Sequence, residues 1–288
     1  MGLFKIATTG VLLLLAVLLI VSLMTNDVDL WIMWSRLGDE EFYAVVTAVL
    51  YYLLPQLQQG LTLVTALLLS GSLNMALKYT LNLSRPPNPL IDVSGPSFPS
   101  GHAQISSSFW SSLSLMMGDL IVIIISLIII TGISLSRVSL RAHYAVDVIA
   151  GAFIGCAVGC ASYLALKYRS KKGSLVGYRI NIGVAVALST YNVMVLRAEL
   201  DSSTVLLGLG LAALTALPVL KFVERVKPPI LTRLLACAIS IALLLGSHIM
   251  TMGCAPYIRL ACFYAVGLCI FSMALAFQAL FKRLGGKP

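Results

Sequence analysis

The amino-acid sequence predicts an all-α fold, a polytopic bundle of membrane helices, and three observations support this prediction. Hydrophobic residues make up 59% of the 288-residue chain and charged residues only 11%, whereas a soluble domain carries about 25% charged residues. Apolar runs recur along the chain at or near the length of about 20 residues that a spanning helix needs. The basic residues behind the net charge of +9 lie in short loops between these runs, which is the pattern of membrane topology. We therefore expect membrane lipids, and no nucleic acid, as partners of the chain.

The apolar runs predict ten spanning helices. They lie at residues 4–24, 42–55, 61–82, 103–117, 120–136, 143–166, 180–196, 204–220, 230–249 and 259–281. No small-residue cleavage pattern follows the first run, so it is interpreted as an uncleaved span. A polar, basic stretch from Lys167 to Arg179 separates six helices from four. This predicts a six-helix core at 1–170 and an additional four-helix transmembrane region of unknown role at 171–288.

The charges of the loops predict how the helices are oriented. Lysine and arginine accumulate on the cytoplasmic side of membranes. With a cytoplasmic N-terminus, the following basic residues fall inside: Lys167, Arg169, Lys171, Lys172, Arg179, Lys221, Arg225, Lys227, Lys282, Arg283 and Lys287. The acidic residues of the opposite loops fall outside: Asp27, Asp29, Asp39, Glu40, Glu41, Glu199 and Asp201. The chain is therefore predicted to be a multi-pass cell-membrane protein with both termini cytoplasmic and the loop 83–100 facing outward.

Six cysteines lie mostly inside the predicted spans and show no CxxC pairing. This pattern is typical of small core residues rather than of a disulfide framework or a zinc site.

The candidate chemistry begins at the end of the third predicted span. Lys78 lies in its last turn, and Arg85-Pro86 follows seven residues later. A lysine near the interface can extend its ammonium group to water, so Lys78 alone has a purely structural interpretation. A cation deeper in the bilayer costs about 2.5–3.5 kcal/mol and demands a partner.

A second stretch, Pro99-Ser100-Gly101-His102, stands immediately before the span that begins near Ala103. The first N–H groups of a helix and its positive dipole end favour an anion, and glycine lets that anion approach the backbone. Ser100 either caps the helix or donates to a ligand oxygen. An isolated tetrapeptide of this kind favours an ordinary helix cap.

The third stretch is Ser136-Arg137, followed by His143 and Asp147. On a helix, residues four apart share one face, so the Asp147 carboxylate is expected to accept the ring N–H of His143 and to orient the imidazole. This is the arrangement of a nucleophile or base held by a third group. A buried histidine–aspartate pair that joins helices is an equally good interpretation of the pair alone.

The three stretches together favour function over their separate structural interpretations, because the predicted topology brings them to one membrane face. Lys78, Arg85 and Arg137 then surround an oxyanion, which charge-assisted hydrogen bonds hold strongly. We refer to these three side chains as the cationic cluster. Two histidines flank the phosphorus, and a histidine can act as nucleophile or acid near neutral pH.

In composition and order, the three stretches resemble the three-part signature of the type 2 phosphatidic acid phosphatase superfamily, and within it the phosphatidylglycerophosphate and undecaprenyl-diphosphate phosphatases. The resemblance covers roughly residues 1–170, with the motifs confined to 78–147. Residues 180–281 depart from the family pattern of about six spanning helices. Those additional helices could shape a lipid portal, mediate homo-oligomerisation or contact a partner.

The resemblance implies roles for individual residues. His143 corresponds to the nucleophile that forms a phosphohistidine, Asp147 to the residue that orients it, and His102 to the general acid. The residues that correspond to phosphate ligands are Lys78, Arg85, Ser100, Gly101 and Arg137. The resemblance implies no metal ion and no other cofactor.

The expected function is metal-independent hydrolysis of a lipid phosphate monoester or a polyprenyl diphosphate on the extracytoplasmic side. Three alternatives remain open. Hydrolysis of a soluble substrate such as a sugar phosphate would use the same residues. A phosphotransferase would use the same phosphohistidine but pass the phosphoryl group to another hydroxyl. A binding or transport protein would keep the phosphate pocket without turnover, although binding alone needs the cations but not the acid and nucleophile.

Overall fold

A computed structural model describes residues 2–54, 56–172, 175–220 and 229–283. In these ranges the secondary structure consists of eleven α-helices and one short π-helix, with no strand. The predicted all-α bundle is thereby confirmed. Four basic residues used to predict the orientation lie outside the described residues: Lys221, Arg225, Lys227 and Lys287.

The α-helices follow one another in chain order as α1 (Gly2–Thr25), α2 (Val28–Arg36), α3 (Glu40–Leu53), α4 (Leu57–Leu81), α5 (Gly101–Met117), α6 (Leu120–Ser139), α7 (Ala145–Lys172), α8 (Val176–Tyr191), α9 (Leu200–Leu220), α10 (Ile230–Thr251) and α11 (Pro256–Arg283), and the π-helix covers Asn192–Leu196.

Eight of the described helices are long and apolar enough to cross a membrane, namely α1, α4, α6, α7, α8 with its π-helical extension, α9, α10 and α11. They indicate a multi-pass membrane protein. The predicted spans 42–55 and 103–117 correspond to α3 and α5, whose 14 and 17 residues are fewer than the roughly 20 that a span requires. The orientation of the termini stays a prediction.

The acidic segment before α3, which the sequence suggests to be a loop, contains the helix α2. Asp27 caps it, because its Oδ1 accepts hydrogen bonds from the backbone N–H groups of Asp29 (2.9 Å) and Leu30 (3.1 Å). The Trp34 side chain is fully buried and lies against Gly132 of α6, where any Cβ would overlap its ring. The loop prediction was wrong because a nine-residue helix with charged ends has no long apolar run.

Two compact units make up the chain. Unit 1 comprises Met1–Tyr43 and Leu77–Tyr163, and unit 2 comprises Ala44–Ala76 and Leu164–Pro288. The predicted division into a core at 1–170 and an additional region at 171–288 stays a prediction.

In unit 1, helix α6 packs against α1, α2 and α5. α5 ends at Gly118, whose φ of 62° is left-handed, and Asp119 then caps α6 by accepting from the N–H of Ile121 at 2.8 Å. Two residues therefore suffice to separate the predicted spans 103–117 and 120–136. On α7, Gly155 and Gly159 face α5 so closely that a Cβ on either would overlap it, which lets the two helices approach through their backbones.

In unit 2, helix α9 packs against α8 and α11, and α10 packs against α11. Arg259 of α11 is buried; it pairs with Asp201 at 2.9 Å and donates to the Thr251 carbonyl at 2.8 Å. These contacts join the start of α9, the end of α10 and the start of α11.

Candidate active site

All eight site residues predicted from the sequence belong to unit 1. They lie at the end of α4, in the loop between α4 and α5, at the start of α5, at the end of α6, in the turn after α6 and in the first turn of α7. Helix ends and loops thus supply the functional side chains, and the helices hold these ends together.

Two members of the cationic cluster hold the loop between α4 and α5. The Lys78 ammonium group is buried and donates to the Pro96 carbonyl at 3.2 Å. The Arg85 guanidinium donates to the carbonyl oxygens of Gly95 (2.9 Å) and Ser94 (2.7 Å). Its Nη1 also donates to the Ala142 carbonyl at 2.9 Å, in the turn after α6. Arg85 therefore ties the loop to the turn that carries His143.

His143 lies before α7, which begins at Ala145, so the prediction that His143 and Asp147 share one helix face was wrong. The backbone N–H of His143 instead donates to the Arg137 carbonyl at 3.1 Å, in the turn that follows α6. Nδ1 of His143 lies 3.5 Å from Oδ2 of Asp147, so the predicted partners are neighbours, but the direct hydrogen bond predicted between them is replaced by contacts through Ser97. Both side chains are almost completely buried.

Ser97 stands between the imidazole and this carboxylate. Its hydroxyl donates to Oδ2 of Asp147 and lies 3.3 Å from Nδ1 of His143. The same Oδ2 accepts from the backbone N–H of Tyr144 at 3.0 Å. Since the hydroxyl proton of Ser97 points to Asp147, its oxygen is left to accept the Nδ1–H of His143.

The contact between Arg85 and His143 determines which ring nitrogen carries the proton. Nη1 of Arg85 lies 3.1 Å from Nε2 of His143. A guanidinium group can only donate, so Nε2 must accept and carries the lone pair, while Nδ1 carries the proton. The lone pair therefore points toward the cationic cluster, as an attack on a bound phosphorus requires.

The surroundings of His143 keep its imidazole neutral. Burial, followed by the charges of Arg85, Lys78 and Arg137 and by His102, lowers the pKa of His143 to about 2. Burial disfavours the charged form of a histidine, and nearby positive charges do the same. The reactive, unprotonated form is thus the stable form of the side chain at neutral pH.

Two buried donors among the predicted site residues face no acceptor in the described part of the chain. Arg137 donates through Nη1 to the Ser35 hydroxyl at 2.6 Å, but its Nε has no partner there. Ser100 occupies the N-cap position of α5 without a side-chain capping bond, and its buried hydroxyl likewise has no partner. Unsatisfied buried donors are costly, so both favour an incoming acceptor such as a phosphate oxygen at the start of α5.

His102 has a carboxylate partner of its own. Its Nε2 lies 3.1 Å from Oδ1 of Asp39, with 27% and 42% of the two side chains exposed. Gly38 packs on the imidazole ring, because a Cβ there would come within 2.8 Å of Cδ2 of His102. The segment before α3 thus positions the ring and contributes the charge beside it.

With these contacts each of the two histidines has a carboxylate nearby, and both rings lie within the electrostatic influence of Lys78 and Arg137. The family model of the PAP2 superfamily matches residues 59–171. The segment that matches PAP2 includes all eight predicted site residues and Ser97. No curated protein and no solved structure matches the chain.

Three residues of the site were missed by sequence reasoning: Ser35, Asp39 and Ser97. Ser35 and Asp39 lie outside the PAP2 segment, and nothing in their spacing connects them with residues about 60 to 100 positions away, as the contacts to His102 and Arg137 do. Ser97 lies two residues before Pro99, and that proximity to a motif was its one available signal.

The arrangement combines anion binding with proton transfer. Within the described residues, no three His, Cys, Asp or Glu side chains are grouped as metal ligands. The cationic cluster can stabilise charge on phosphate oxygens, His143 presents a lone pair, and His102 with Asp39 can hold or release a proton.

Proposed function

We propose that the protein is a membrane phosphatase that hydrolyses a lipid phosphate through a phosphohistidine on His143, without a metal ion. The observation that carries the proposal is the orientation of His143. Its Nε2 lone pair faces Arg85 at 3.1 Å, and its Nδ1–H side faces Ser97 at 3.3 Å. A pocket that only binds phosphate has no need of an oriented, neutral imidazole among cations. The PAP2 match gives independent support.

In the first step, Nε2 of His143 attacks phosphorus and the bond between phosphorus and the ester oxygen breaks. His102 gives its proton to the leaving oxygen. The imidazole of His143 becomes positively charged as its nitrogen is phosphorylated. Ser97 accepts from Nδ1–H and donates to Asp147, so the carboxylate stabilises this positive charge through the Ser97 hydroxyl. Arg85, Lys78 and Arg137, with the Ser100 hydroxyl and the Gly101 amide, hold the phosphate oxygens and stabilise their charge.

In the second step, a water molecule attacks phosphorus and gives a proton to the now neutral His102. The bond between phosphorus and Nε2 breaks, inorganic phosphate leaves, and both histidines return to their starting states. The balance is one ester and one water consumed, and one alcohol and one phosphate released.

The substrate in this proposal is a lipid phosphate monoester or a polyprenyl diphosphate, and the active site faces the extracytoplasmic side. The eight apolar helices support a membrane-embedded substrate, because a lipid tail can remain in the bilayer while its head group meets the cationic cluster. The positive-inside distribution of charge supports the orientation.

Phosphate release by the purified protein tests the proposal. Phosphatidic acid, phosphatidylglycerophosphate, an isoprenoid phosphate and an isoprenoid diphosphate are each assayed with and without EDTA. We expect release from at least one of them, unchanged by the chelator. No release from any, or release that EDTA abolishes, contradicts the proposal.

The lowered pKa of His143 predicts how activity depends on pH. Because the neutral form attacks, a pKa of about 2 keeps the nucleophile active at pH values where an ordinary histidine, with a pKa of about 6.5, is protonated. Arg85→Gln removes the largest charge contribution and raises that pKa. Burial, the largest cause of the shift, and the charges of Lys78 and Arg137 remain in the variant. Beyond its general loss of activity, the variant is therefore expected to lose further activity at a higher pH than the wild-type protein does as the pH falls from about 7 to about 3.

The measurement is the ratio of wild-type to variant kcat/KM across this pH range. The ratio should rise toward low pH. A ratio that stays constant contradicts the conclusion that the Arg85 charge helps to keep His143 unprotonated.

Ser97→Ala is expected to lower kcat by about 10²-fold, because an imidazole that loses its Nδ1 acceptor is misplaced for attack. KM should change little, since Ser97 is not expected to touch the phosphate. Ser97→Thr restores the hydroxyl and should recover part of the activity. The matched control is Ser94→Ala in the same loop, which leaves intact the carbonyl that Arg85 uses. Equal losses in the two alanine variants would show that the effect lies in the loop and not in the hydroxyl.

Asp39→Asn is expected to move the alkaline limb of kcat/KM to lower pH, because the carboxylate beside His102 favours the protonated imidazole that acts as acid. Glu41→Gln removes the same charge two residues later from an exposed position and should leave the limb in place. An alkaline limb that is identical in wild type and Asp39→Asn contradicts the positioning role of Asp39.

A further inference from the structure

A cavity of about 240 Å³ in unit 1 adjoins the site on the side of His102. Its polar lining consists of Ser35, Arg36, Asp39, Asp92, His102 and Arg137, and the remaining lining is aliphatic. Arg36 and Asp92 are exposed, and neither takes part in the phosphate contacts or proton transfers described above.

In the proposed mechanism the cavity lies beside the general acid, because His102 is part of its lining. In an in-line displacement, the nucleophile and the leaving oxygen occupy opposite sides of phosphorus, and the acid that protonates the leaving oxygen lies on the leaving side. His102 lines the cavity, whereas His143, Lys78 and Arg85 do not. If Arg137 holds the phosphate at the edge of the cavity and His143 attacks in line, the group attached to the ester oxygen has room beside His102 in this cavity.

The chemistry of the lining narrows the class of leaving group. The Asp39 and Asp92 carboxylates accept hydrogen bonds and the Arg36 guanidinium donates them, which suits hydroxyl groups because a hydroxyl can do both. A leaving phosphate, as from a diphosphate, would bring negative charge toward two carboxylates, and only Arg36 would offset it. A hydrocarbon alcohol would desolvate these charged groups without replacing their hydrogen bonds with water.

We propose that this cavity binds the leaving alcohol and selects one that carries free hydroxyl groups next to the phosphate ester, a phosphorylated polyol. Asp92 and Arg36 are its specificity-determining residues. The inference rests on the proposed phosphatase function and narrows it to monoesters of polyhydric alcohols. The polyol is either the head group of a lipid or a free polyol phosphate, since both present the same hydroxyls to the cavity.

The test compares kcat/KM for four substrates with the purified full-length protein. Phosphatidylglycerophosphate is a lipid with a hydroxylated head group, and glycerol 3-phosphate is the soluble counterpart. Phosphatidic acid and a polyprenyl diphosphate lack the hydroxyls. We expect at least one polyol ester to be preferred over both of the others by about tenfold or more, the scale of one or two hydrogen bonds. If only phosphatidylglycerophosphate is preferred, the polyol is the head group of a lipid. If glycerol 3-phosphate is preferred as well, the cavity also accepts a free polyol phosphate.

Asp92→Asn and Arg36→Gln are expected to reduce this preference by about tenfold while leaving the hydrolysis of phosphatidic acid unchanged. Asp29→Asn removes an exposed carboxylate on α2 that does not line the cavity and should leave the preference unchanged. Release of phosphate without preference for a polyol ester, or an equal loss on all four substrates in both cavity variants, overturns this inference alone. No release from any substrate overturns the proposed function and this inference together.

Discussion

Replacing His143 with asparagine is expected to lower kcat by about 10⁴-fold or more, because the lone pair that attacks phosphorus is lost and no neighbouring group can take its place. Substrate binding should survive, since the cationic cluster and the start of α5 hold the phosphate. With radiolabelled substrate and a rapid quench, the wild-type protein should carry phosphate in a linkage that is stable in alkali and labile in acid, as a phosphorus–nitrogen bond is.

The matched control for this variant is His248→Asn. His248 lies at the end of α10 in unit 2, whereas the site residues belong to unit 1, so this substitution should leave both activity and labelling intact. Wild-type activity in His143→Asn, or label that resists acid, contradicts the phosphohistidine mechanism.

Replacing His102 with asparagine should give a loss that depends on the leaving group. For a lipid or alkyl phosphate, whose alkoxide must be protonated as it departs, kcat should fall by about 10²- to 10⁴-fold, the usual contribution of a general acid. For an aryl phosphate such as p-nitrophenyl phosphate, whose phenolate is stable without a proton, the first step should be affected far less. The measurement is the initial burst of nitrophenol in a rapid-mixing experiment, which reports the first step alone.

The same variant should hydrolyse the phosphohistidine slowly, because His102 is also the base for the attacking water. Label on His143 should therefore accumulate in His102→Asn with the aryl substrate. Equal losses on alkyl and aryl substrates in the first step would contradict the assignment of His102 as the acid.

The segment before α3 contributes two side chains to the candidate site, although it lies outside the residues that match PAP2. Ser35 holds the Arg137 guanidinium and Asp39 holds the His102 ring. Both histidines consequently have a carboxylate partner, Asp147 through Ser97 on one side and Asp39 directly on the other. In the proposed mechanism the nucleophile starts neutral and the acid starts protonated, so the two partners act on opposite charge states. Asp147 stabilises the charge that develops at His143. Burial lowers the pKa of His102, and Asp39 opposes this by favouring the protonated ring.

The sequence by itself determined the membrane-embedded all-α class, since a charged content of 11% in 288 residues leaves too few polar groups to cover a soluble protein of this size. It also located α1 and α3 to α7, with most of their ends within a few residues of those observed, because a long apolar run marks a helix that is buried in lipid or protein. Eight candidate site residues could be named from three motifs, because each motif keeps its residues close together in the chain.

The tertiary structure alone decided the contacts that join distant segments. A short helix such as α2 has no apolar run to reveal it, and its stability comes from the packing of Trp34 on Gly132. The partners of His102 and Arg137 come from about 60 to 100 residues away, a distance over which local periodicity carries no information. The tautomer of His143, and with it the direction of its lone pair, follows from the position of one Arg85 nitrogen, and such a position is defined only once the loop and the turn have folded against each other.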